Sequence, residues 1–192
     1  MTDTGAGTSS RLKARIAGLF YLLTIVTGAL AGFSTGKLFE YRDAMNLSAS
    51  ACYVAVTLLF YGLFKPVDAS LSLIAAVFSV AGCALSALGL FHLLPVPVRS
   101  VNPLVLFGVY CLLIGYLIFR SDFLPRVLGV LMAIGGLGWL TFVSSTLADA
   151  LTPYNLAPGI LGEGALTVWL LAKGVDAKRW QERANIAGLG TN

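Results

Sequence analysis

The sequence predicts an all-α, polytopic membrane protein built as a compact bundle of six transmembrane helices, with both termini in the cytoplasm. Three observations lead to this prediction: the composition, the length of the apolar runs, and the distribution of basic residues between them. Of the 192 residues, 57% are hydrophobic and 11% are charged, and the mean hydropathy is +0.84. Soluble domains contain about 25% charged residues. This composition therefore excludes a soluble enzyme, a disordered chain and a nucleic-acid-binding protein.

Six apolar runs are long enough to cross a membrane, because a spanning helix needs about 20 mainly apolar residues. Charged or proline-containing segments separate the runs, for example Lys65-Pro66-Val67-Asp68. The runs do not alternate apolar and polar residues as barrel strands do, so they are predicted to be helices. The predicted spans are residues 16–35, 46–64, 69–94, 103–119, 124–147 and 154–172.

The orientation follows from the basic residues. With six spans, both termini lie on the same side as the second and fourth connections. That side carries ten Lys and Arg residues, whereas the other side carries Lys37, Arg42 and Arg99. Cytoplasmic loops are enriched in Lys and Arg, which predicts a multi-pass protein with both ends in the cytoplasm. Residues 1–14 are expected to be disordered, residues 15–173 to form the membrane domain, and residues 174–192 to form a basic tail or an interfacial helix.

The N-terminal region also has features of a secretory signal. Basic residues precede an apolar stretch that contains the small-residue sequence Ala29-Leu30-Ala31, which is typical of a cleavage site. The apolar stretch continues through Phe33, and this favours a retained first helix. Cleavage is the alternative, and it would leave five helices with the C-terminus in the same place.

Small residues at helical spacing predict the surfaces through which the helices pack. Helices in lipid associate through close backbone approach and polar contacts. Ridges of this kind predict contacts within the bundle, and the alternative is a homodimer face. The ridges are Thr24, Gly28, Gly32 and Gly36 in the first span, Ala75, Ser79, Gly82, Ser86 and Gly89 in the third, and Gly129, Ala133 and Gly136 in the fifth.

No motif for catalysis, metal binding or cofactor binding is visible. Cys52, Cys83 and Cys111 lie in three different apolar runs without a CxxC pair, so they are interpreted as packing residues. The chain lacks the glycine-rich nucleotide motifs and the zinc-protease motif. We therefore predict no catalytic residue, no metal and no cofactor.

Glu163 is the main candidate for a functional residue. It is the tenth residue of the sixth predicted span, and no Lys or Arg lies at the same depth in another span. A carboxylate at that depth costs several kcal/mol unless it is neutral, hydrated or paired. Glu163, with Thr167 one turn later, is predicted to bind a proton, a cation or a polar ligand. The alternative is a structural glutamic acid that bonds to Thr27, Thr57 or Tyr110.

Two weaker groups of candidates lie near the membrane surfaces. His92, Arg99, Asp149 and Tyr154 are expected on the outer side, where they could form a shallow polar site, although an interfacial histidine without a special role is the favoured interpretation of His92. On the cytoplasmic side Arg120 and Arg126 could contact a lipid phosphate. The alternative for these arginines is that they fix the topology and cap a hairpin.

Several stretches resemble one known family. They are RIAGLFYL at residues 15–22, GYLIFRSDFLPRVLG at residues 115–129, and GE at residues 162–163 with WLLAKG at residues 169–174. Together they look like the domain of unknown function 4386 family, which comprises small prokaryotic multi-helix membrane proteins. The resemblance implies a prokaryotic plasma-membrane protein with an unassigned biochemical role. It also implies an acidic residue at the position of Glu163.

Three functions are compatible with these observations. The favoured one is a non-enzymatic bundle in the lipid bilayer that binds a small or lipophilic ligand, or a partner protein. A small proton-coupled carrier that uses Glu163, acting as a homodimer, is the second. An intramembrane enzyme that acts on a lipid or isoprenoid is the third, and it is disfavoured because no catalytic cluster is evident.

Overall fold

The fold is helical throughout the part of the chain that the structure describes. The computed structural model describes residues 4–93, 95, 98 and 101–189, and it contains no strand there. Short 3-10 helices at Gly36–Tyr41 and Thr141–Val143 precede α2 and follow α5. The α-helices are α1 (Thr4–Gly32), α2 (Arg42–Phe64), α3 (Ala69–Leu90), α4 (Pro103–Arg120), α5 (Arg126–Leu140), α6 (Ser145–Leu151), α7 (Leu156–Ala172) and α8 (Ala177–Ile186).

The helix lengths confirm the prediction of a multi-pass membrane protein. Helices α1 to α5, with the 3-10 turns that extend α2 and α5, are each long and apolar enough to span a bilayer. Helices α6 and α7 meet at 79° across a short break, and this bent pair is a sixth span if the two helices cross the membrane together. With its 17 residues, α7 alone rises about 26 Å, which is close to the thickness of the hydrocarbon core.

Two predicted spans end earlier in the structure than in the sequence analysis. Helix α3 stops at Leu90 instead of residue 94, because His92 has a left-handed backbone with φ 56° and its N–H bonds to the Gly89 carbonyl. Helix α5 stops at Leu140 and its 3-10 extension at Val143, whereas the prediction continued to residue 147. Ser144 caps the next helix instead, since its hydroxyl accepts the N–H of Leu147.

The start of α1 also differs from the prediction of a disordered segment. The helix already begins at Thr4, so most of residues 1–14 is helical. Ser10 and Ala14 are buried in this part of the helix, and α1 packs against α8. Contact with α8 thus stabilises the basic first turns of α1. The apolar pattern alone did not predict that these turns are helical.

Six helices form a closed ring. Each of α1 to α4 packs against the next helix in the chain, α5 packs against α7, and α7 returns to pack against α1. Short connections make successive neighbours antiparallel. Large side chains with less than 2% exposure fill the centre of the ring: Tyr21, Phe60, Ile114, Leu117, Met132 and Leu166.

Glycines bring α5 close to both of its neighbours. An added Cβ at Gly129 would lie 2.5 Å from the Gly115 carbonyl oxygen on α4, and one at Gly136 would lie 2.7 Å from that of Gly108. The ridge predicted in the fifth span is therefore a helix contact. The ridge predicted in the first span is a helix contact only at Thr24, whose hydroxyl lies 3.4 Å from the Ala49 carbonyl of α2, because open space surrounds Gly28 and Gly32.

The start of α1 and helix α8 lie together at one end of the ring, which we call the terminal end. Helix α8 packs there across the connections of the bundle: the Trp180 indole N–H donates to the Leu63 carbonyl at 2.9 Å, and Arg179 donates to the Asp122 carbonyl at 3.0 Å. Arg183 pairs with the Asp122 carboxylate at 3.5 Å. The tail therefore covers the α2–α3 and α4–α5 connections, which share this end with the termini as predicted.

Candidate functional site

Glu163 lies in α7 and points its carboxyl group into the ring. The Trp139 indole N–H donates to Glu163 Oε1 at 2.8 Å, and the Cys111 thiol makes a longer contact with the same oxygen at 3.6 Å. The residue as a whole is partly exposed, but its carboxyl group lies deep among protein atoms. The exposed part of Glu163 is therefore its backbone and side-chain stem, and the carboxyl group is buried.

The glycines of the α5–α7 contact place Trp139 beside Glu163. An added Cβ at Gly159, one turn before Glu163, would overlap the Trp139 indole ring, so the ring lies directly on the α7 backbone. An added Cβ at Gly162 would lie 2.5 Å from the Leu131 carbonyl oxygen. This close approach lets the indole N–H of one helix reach the carboxylate of the other.

Three tyrosines surround the carboxyl group on its inner side. Tyr21 on α1, Tyr53 on α2 and Tyr110 on α4 are at most 5% exposed. Ring centroids lie 5.5 Å apart for Tyr21 and Tyr53 and 5.6 Å apart for Tyr53 and Tyr110, with T-shaped geometry. Each tyrosine is close enough to interact electrostatically with Glu163.

The hydroxyl groups of all three tyrosines are buried without a hydrogen-bond partner. Polar groups nevertheless lie close to each hydroxyl: Glu163 and Tyr53 near Tyr21, Cys111 near Tyr53, and Thr57 near Tyr110. Leaving a buried polar group unsatisfied costs about 1–3 kcal/mol. Three such hydroxyls beside one carboxyl group form a polar site that a water molecule or a polar ligand group can complete.

A buried hydrogen bond extends this polar region to α3. The hydroxyls of Thr57 on α2 and Ser79 on α3 are 2.5 Å apart, and Thr57 also donates to the Tyr53 carbonyl. Thr57 lies beside the Tyr110 hydroxyl. All six helices of the ring thus contribute to one polar region, which we call the Glu163 cluster: Tyr21, Tyr53, Thr57, Ser79, Tyr110, Cys111, Trp139 and Glu163.

All the hydrogen-bond donors that surround the Glu163 carboxyl group in the Glu163 cluster are neutral. Indole and thiol groups do not carry a positive charge. The three ion pairs among the described residues are Arg120–Asp68, Arg179–Asp176 and Arg183–Asp122, and none involves Glu163. A buried carboxylate without a cation is unstable in a low-dielectric environment, so the group is stabilised by a proton, by water or by a cationic ligand.

Thr167 and two of the other side chains predicted near Glu163 bond elsewhere. The Thr167 hydroxyl is buried and donates to the Glu163 main-chain carbonyl at 2.7 Å, so it supports the helix and does not join the carboxyl group. Thr27 bonds within α1, to the Leu23 carbonyl. Thr57 and Tyr110 both lie within the Glu163 cluster, but the Thr57 hydroxyl bonds to Ser79 and to the Tyr53 carbonyl and not to the carboxyl group.

The expected polar site on the opposite end is not enclosed by the bundle. His92 follows α3, Asp149 lies in α6, and both are exposed. Tyr154 is 80% exposed, so its ring points away from the packed interior. Arg99 falls outside the described residues. The grouping of these four side chains therefore stays a prediction.

The two arginines predicted to contact lipid phosphate already have partners at the terminal end. Arg120 is 3.9 Å from the Asp68 carboxylate and stacks over the Tyr116 ring. The Arg126 guanidinium lies over the Phe119 ring, 5.7 Å from its centroid. Both arginines therefore have a structural role in the two hairpins, and contact with lipid phosphate stays a prediction.

Sequence reasoning missed Trp139, Cys111, Tyr21 and Tyr53. In an apolar run these side chains are typical of hydrophobic packing, and no spacing within one helix connects them. Their one shared signal is a polar atom on an otherwise apolar side chain, which needs a partner when it is buried in a membrane.

Comparison with known proteins supports a family assignment but gives no activity. Residues 101–174 match the model of the family described as "Domain of unknown function (DUF4386)". A protein described as "Uncharacterized protein" from Archaeoglobus fulgidus is 26% identical over 127 residues, which cover 63% of this chain and 76% of the relative. No solved structure matches. The match includes the central and closing stretches and Glu163, and with the archaeal relative it supports assignment of the chain to the domain of unknown function 4386 family.

Proposed function

We propose that this integral membrane protein binds a small lipophilic amine inside its helical ring, with the ammonium group of the ligand at Glu163. The observation that carries the proposal is the buried carboxyl group that has only neutral donors, beside three tyrosine hydroxyls without partners. A protonated amine supplies the missing positive charge, and its N–H groups can donate to the carboxylate and to tyrosine oxygens. A proton on Glu163 takes the place of the ligand when the site is empty.

The surrounding rings favour a cation over a neutral polar group. The faces of aromatic rings attract cations when they lie within about 6 Å of the ring centre. Tyr21, Tyr53 and Tyr110 lie close enough to Glu163 to interact with it electrostatically, and the Trp139 indole donates to its carboxyl group. The apolar side chains of the ring centre suit the hydrocarbon part of a lipophilic amine.

The test is thermal unfolding of the purified full-length protein with methylammonium chloride as the probe. We expect methylammonium to raise the unfolding midpoint relative to equal sodium chloride, because a ligand at 100 times its dissociation constant stabilises by about 2.7 kcal/mol. Glu163→Gln should abolish the shift. Glu182→Gln, the same change on an exposed residue of α8, should retain it. The proposal is wrong if methylammonium has no effect on the native chain or stabilises the Glu163→Gln variant equally.

A proton-coupled carrier is the second candidate, and the bend between α6 and α7 favours it. Discontinuous helices commonly form the substrate sites of transporters, and here a 79° bend lies just before the helix that carries Glu163. A carboxyl group that exchanges a proton for a cation would couple the two fluxes. In proteoliposomes, a pH gradient should then drive uptake of tetramethylammonium by the native chain and not by Glu163→Gln. Equal uptake by both would exclude this role for Glu163.

We further propose that the protein lies in a prokaryotic plasma membrane with the terminal end in the cytoplasm. The support is the ten Lys and Arg residues of that end against three on the opposite side, in agreement with the positive-inside rule. A cysteine introduced at exposed Lys178 should react with a membrane-impermeant maleimide only after the cells are opened. Labelling of intact cells would contradict the orientation.

A further inference from the structure

A cavity of about 490 Å³ opens at the terminal end, on a different part of the molecule from the Glu163 cluster. It lies between the start of α1, the connection from α4 to α5, the end of α7 and the start of α8. Its wall combines buried apolar side chains, Phe123, Leu124 and Val175, with charged groups at the rim. Trp169 lies half-buried between these two parts.

The acidic groups of this cavity already have partners. Asp176 caps α8 by accepting the N–H groups of Lys178 and Arg179, and its other oxygen lies 3.6 Å from Arg179 Nε. Asp122 lies 3.5 Å from an Arg183 nitrogen. Neither carboxylate is therefore available to neutralise another cation of the cavity.

Two basic groups of the cavity remain without an ion-pair partner in the described part of the chain. They are Arg11 on α1 and Lys173 at the end of α7, and both are exposed. The backbone of Gly174, with φ +70°, turns the chain here, and an added Cβ would lie 3.0 Å from Arg11 Cγ. The glycine thus lets the stem of Arg11 lie against the turn that follows Lys173.

We propose that this cavity binds a phosphate monoester group, with Arg11 and Lys173 as its ligands. The guanidinium of an arginine matches phosphate with two parallel hydrogen bonds, and a lysine adds a point charge. The apolar wall next to the charges suits a phosphorylated lipid, because the glycerol backbone of such a lipid holds the acyl chains close to the phosphate. Free inorganic phosphate is the other source of the same chemistry.

The experiment measures lipid retained by the purified full-length protein after exchange into vesicles. The vesicles contain phosphatidic acid and phosphatidylcholine in equal amounts, and native mass spectrometry counts each bound lipid. The native chain should retain phosphatidic acid selectively. Removal of two cations near an anionic headgroup should weaken binding about thirtyfold, because each contributes a factor of about five. The variant Arg11→Gln/Lys173→Gln should therefore lose this selectivity.

The matched control removes two other basic groups from the same end of the molecule. Lys13 and Lys178 are exposed and are not part of the cavity, so Lys13→Gln/Lys178→Gln loses the same charge and should keep its selectivity. Equal losses in both double variants would overturn the proposal, because general attraction between charges would then explain binding. An unselective native chain would exclude a lipid headgroup as the ligand of this cavity.

A second arm distinguishes the two sources of phosphate. Inorganic phosphate is added at increasing concentration to the native chain in detergent, and the unfolding midpoint is followed. Stabilisation that disappears in Arg11→Gln/Lys173→Gln supports the site with free phosphate as its ligand. Absence of this stabilisation, together with selective retention of phosphatidic acid, supports the site with a lipid headgroup as its ligand. Absence of both effects overturns it.

Discussion

At the scale of single residues, one carboxylate oxygen receives two neutral donors from two different helices. Glu163 Oε1 accepts the Trp139 N–H at 2.8 Å and contacts the Cys111 thiol at 3.6 Å. A thiol is a weak donor, so the indole supplies most of the stabilisation. The interaction between Trp139 and Glu163 therefore connects α5 and α7 in the interior of the membrane.

Trp139→Phe should destabilise the protein by about 1–3 kcal/mol, because it leaves the buried carboxyl group without its best donor. In a double-mutant cycle with Glu163→Gln, measured by denaturant unfolding in detergent, the two changes should be coupled by at least about 0.5 kcal/mol. Trp180→Phe is the matched control, since the Trp180 N–H donates to Leu63 at the terminal end. It should be additive with Glu163→Gln, and an additive Trp139 cycle would contradict the structure.

Residue-level prediction from the sequence found Glu163 but missed most of its surroundings. An ionisable group in the middle of an apolar run stands out without a structure, because its cost in lipid is high. Trp139 and the tyrosines do not stand out in this way, because aromatic residues are also common in membrane helices as packing residues. Thr167 was grouped with Glu163 on helical spacing, yet its hydroxyl bonds to the backbone of the preceding turn.

At the scale of helices, the face that α7 presents to α5 positions the cluster. Gly159 and Gly162 are buried in this contact, whereas an added Cβ at Gly164 meets nothing within 4 Å. The sequence alone does not distinguish these three glycines, but in the structure two of them pack against α5 and the third faces open space.

Gly159→Ala should therefore be strongly unfavourable, because the new methyl group would overlap the Trp139 ring and displace it from Glu163. Overpacking of this kind costs about 1–3 kcal/mol. Gly164→Ala, in open space on the same helix, should be neutral or stabilising by up to about 1 kcal/mol through its higher helix propensity. Denaturant unfolding of both variants measures the difference. Equal effects at the two positions would show that the α5–α7 contact differs from the structure.

Helix ends and contact faces were only partly predictable. The existence of each span followed from the apolar runs, but the ends of α3 and α5 depend on the left-handed backbone of His92 and on the cap at Ser144. The glycine ridge of α5 packs against α4 as expected, while that of α1 faces open space. Small residues at regular spacing indicate that a close approach is possible, but they do not identify which helix occupies the space.

At the scale of the whole molecule, closure of the ring creates the site. Tyr21 on α1 and Glu163 on α7 come together only because the last long helix packs against the first. The sequence predicted the spans and the shared end of the termini, since both follow from hydropathy and from the number of crossings. It did not predict ring closure or the docking of α8, because these depend on contacts between residues that are far apart in the chain.

Infrared difference spectroscopy of the full-length protein in lipid is the most direct test of the central claim, that the ring holds one carboxyl group among neutral donors and receives a cation there. Without ligand at neutral pH, we expect the carbonyl stretching band of a protonated carboxylic acid, and Glu163→Gln should lack it. Methylammonium should remove this band from the native chain and produce carboxylate bands. A native spectrum without the acid band, or one that methylammonium leaves unchanged, would contradict the account.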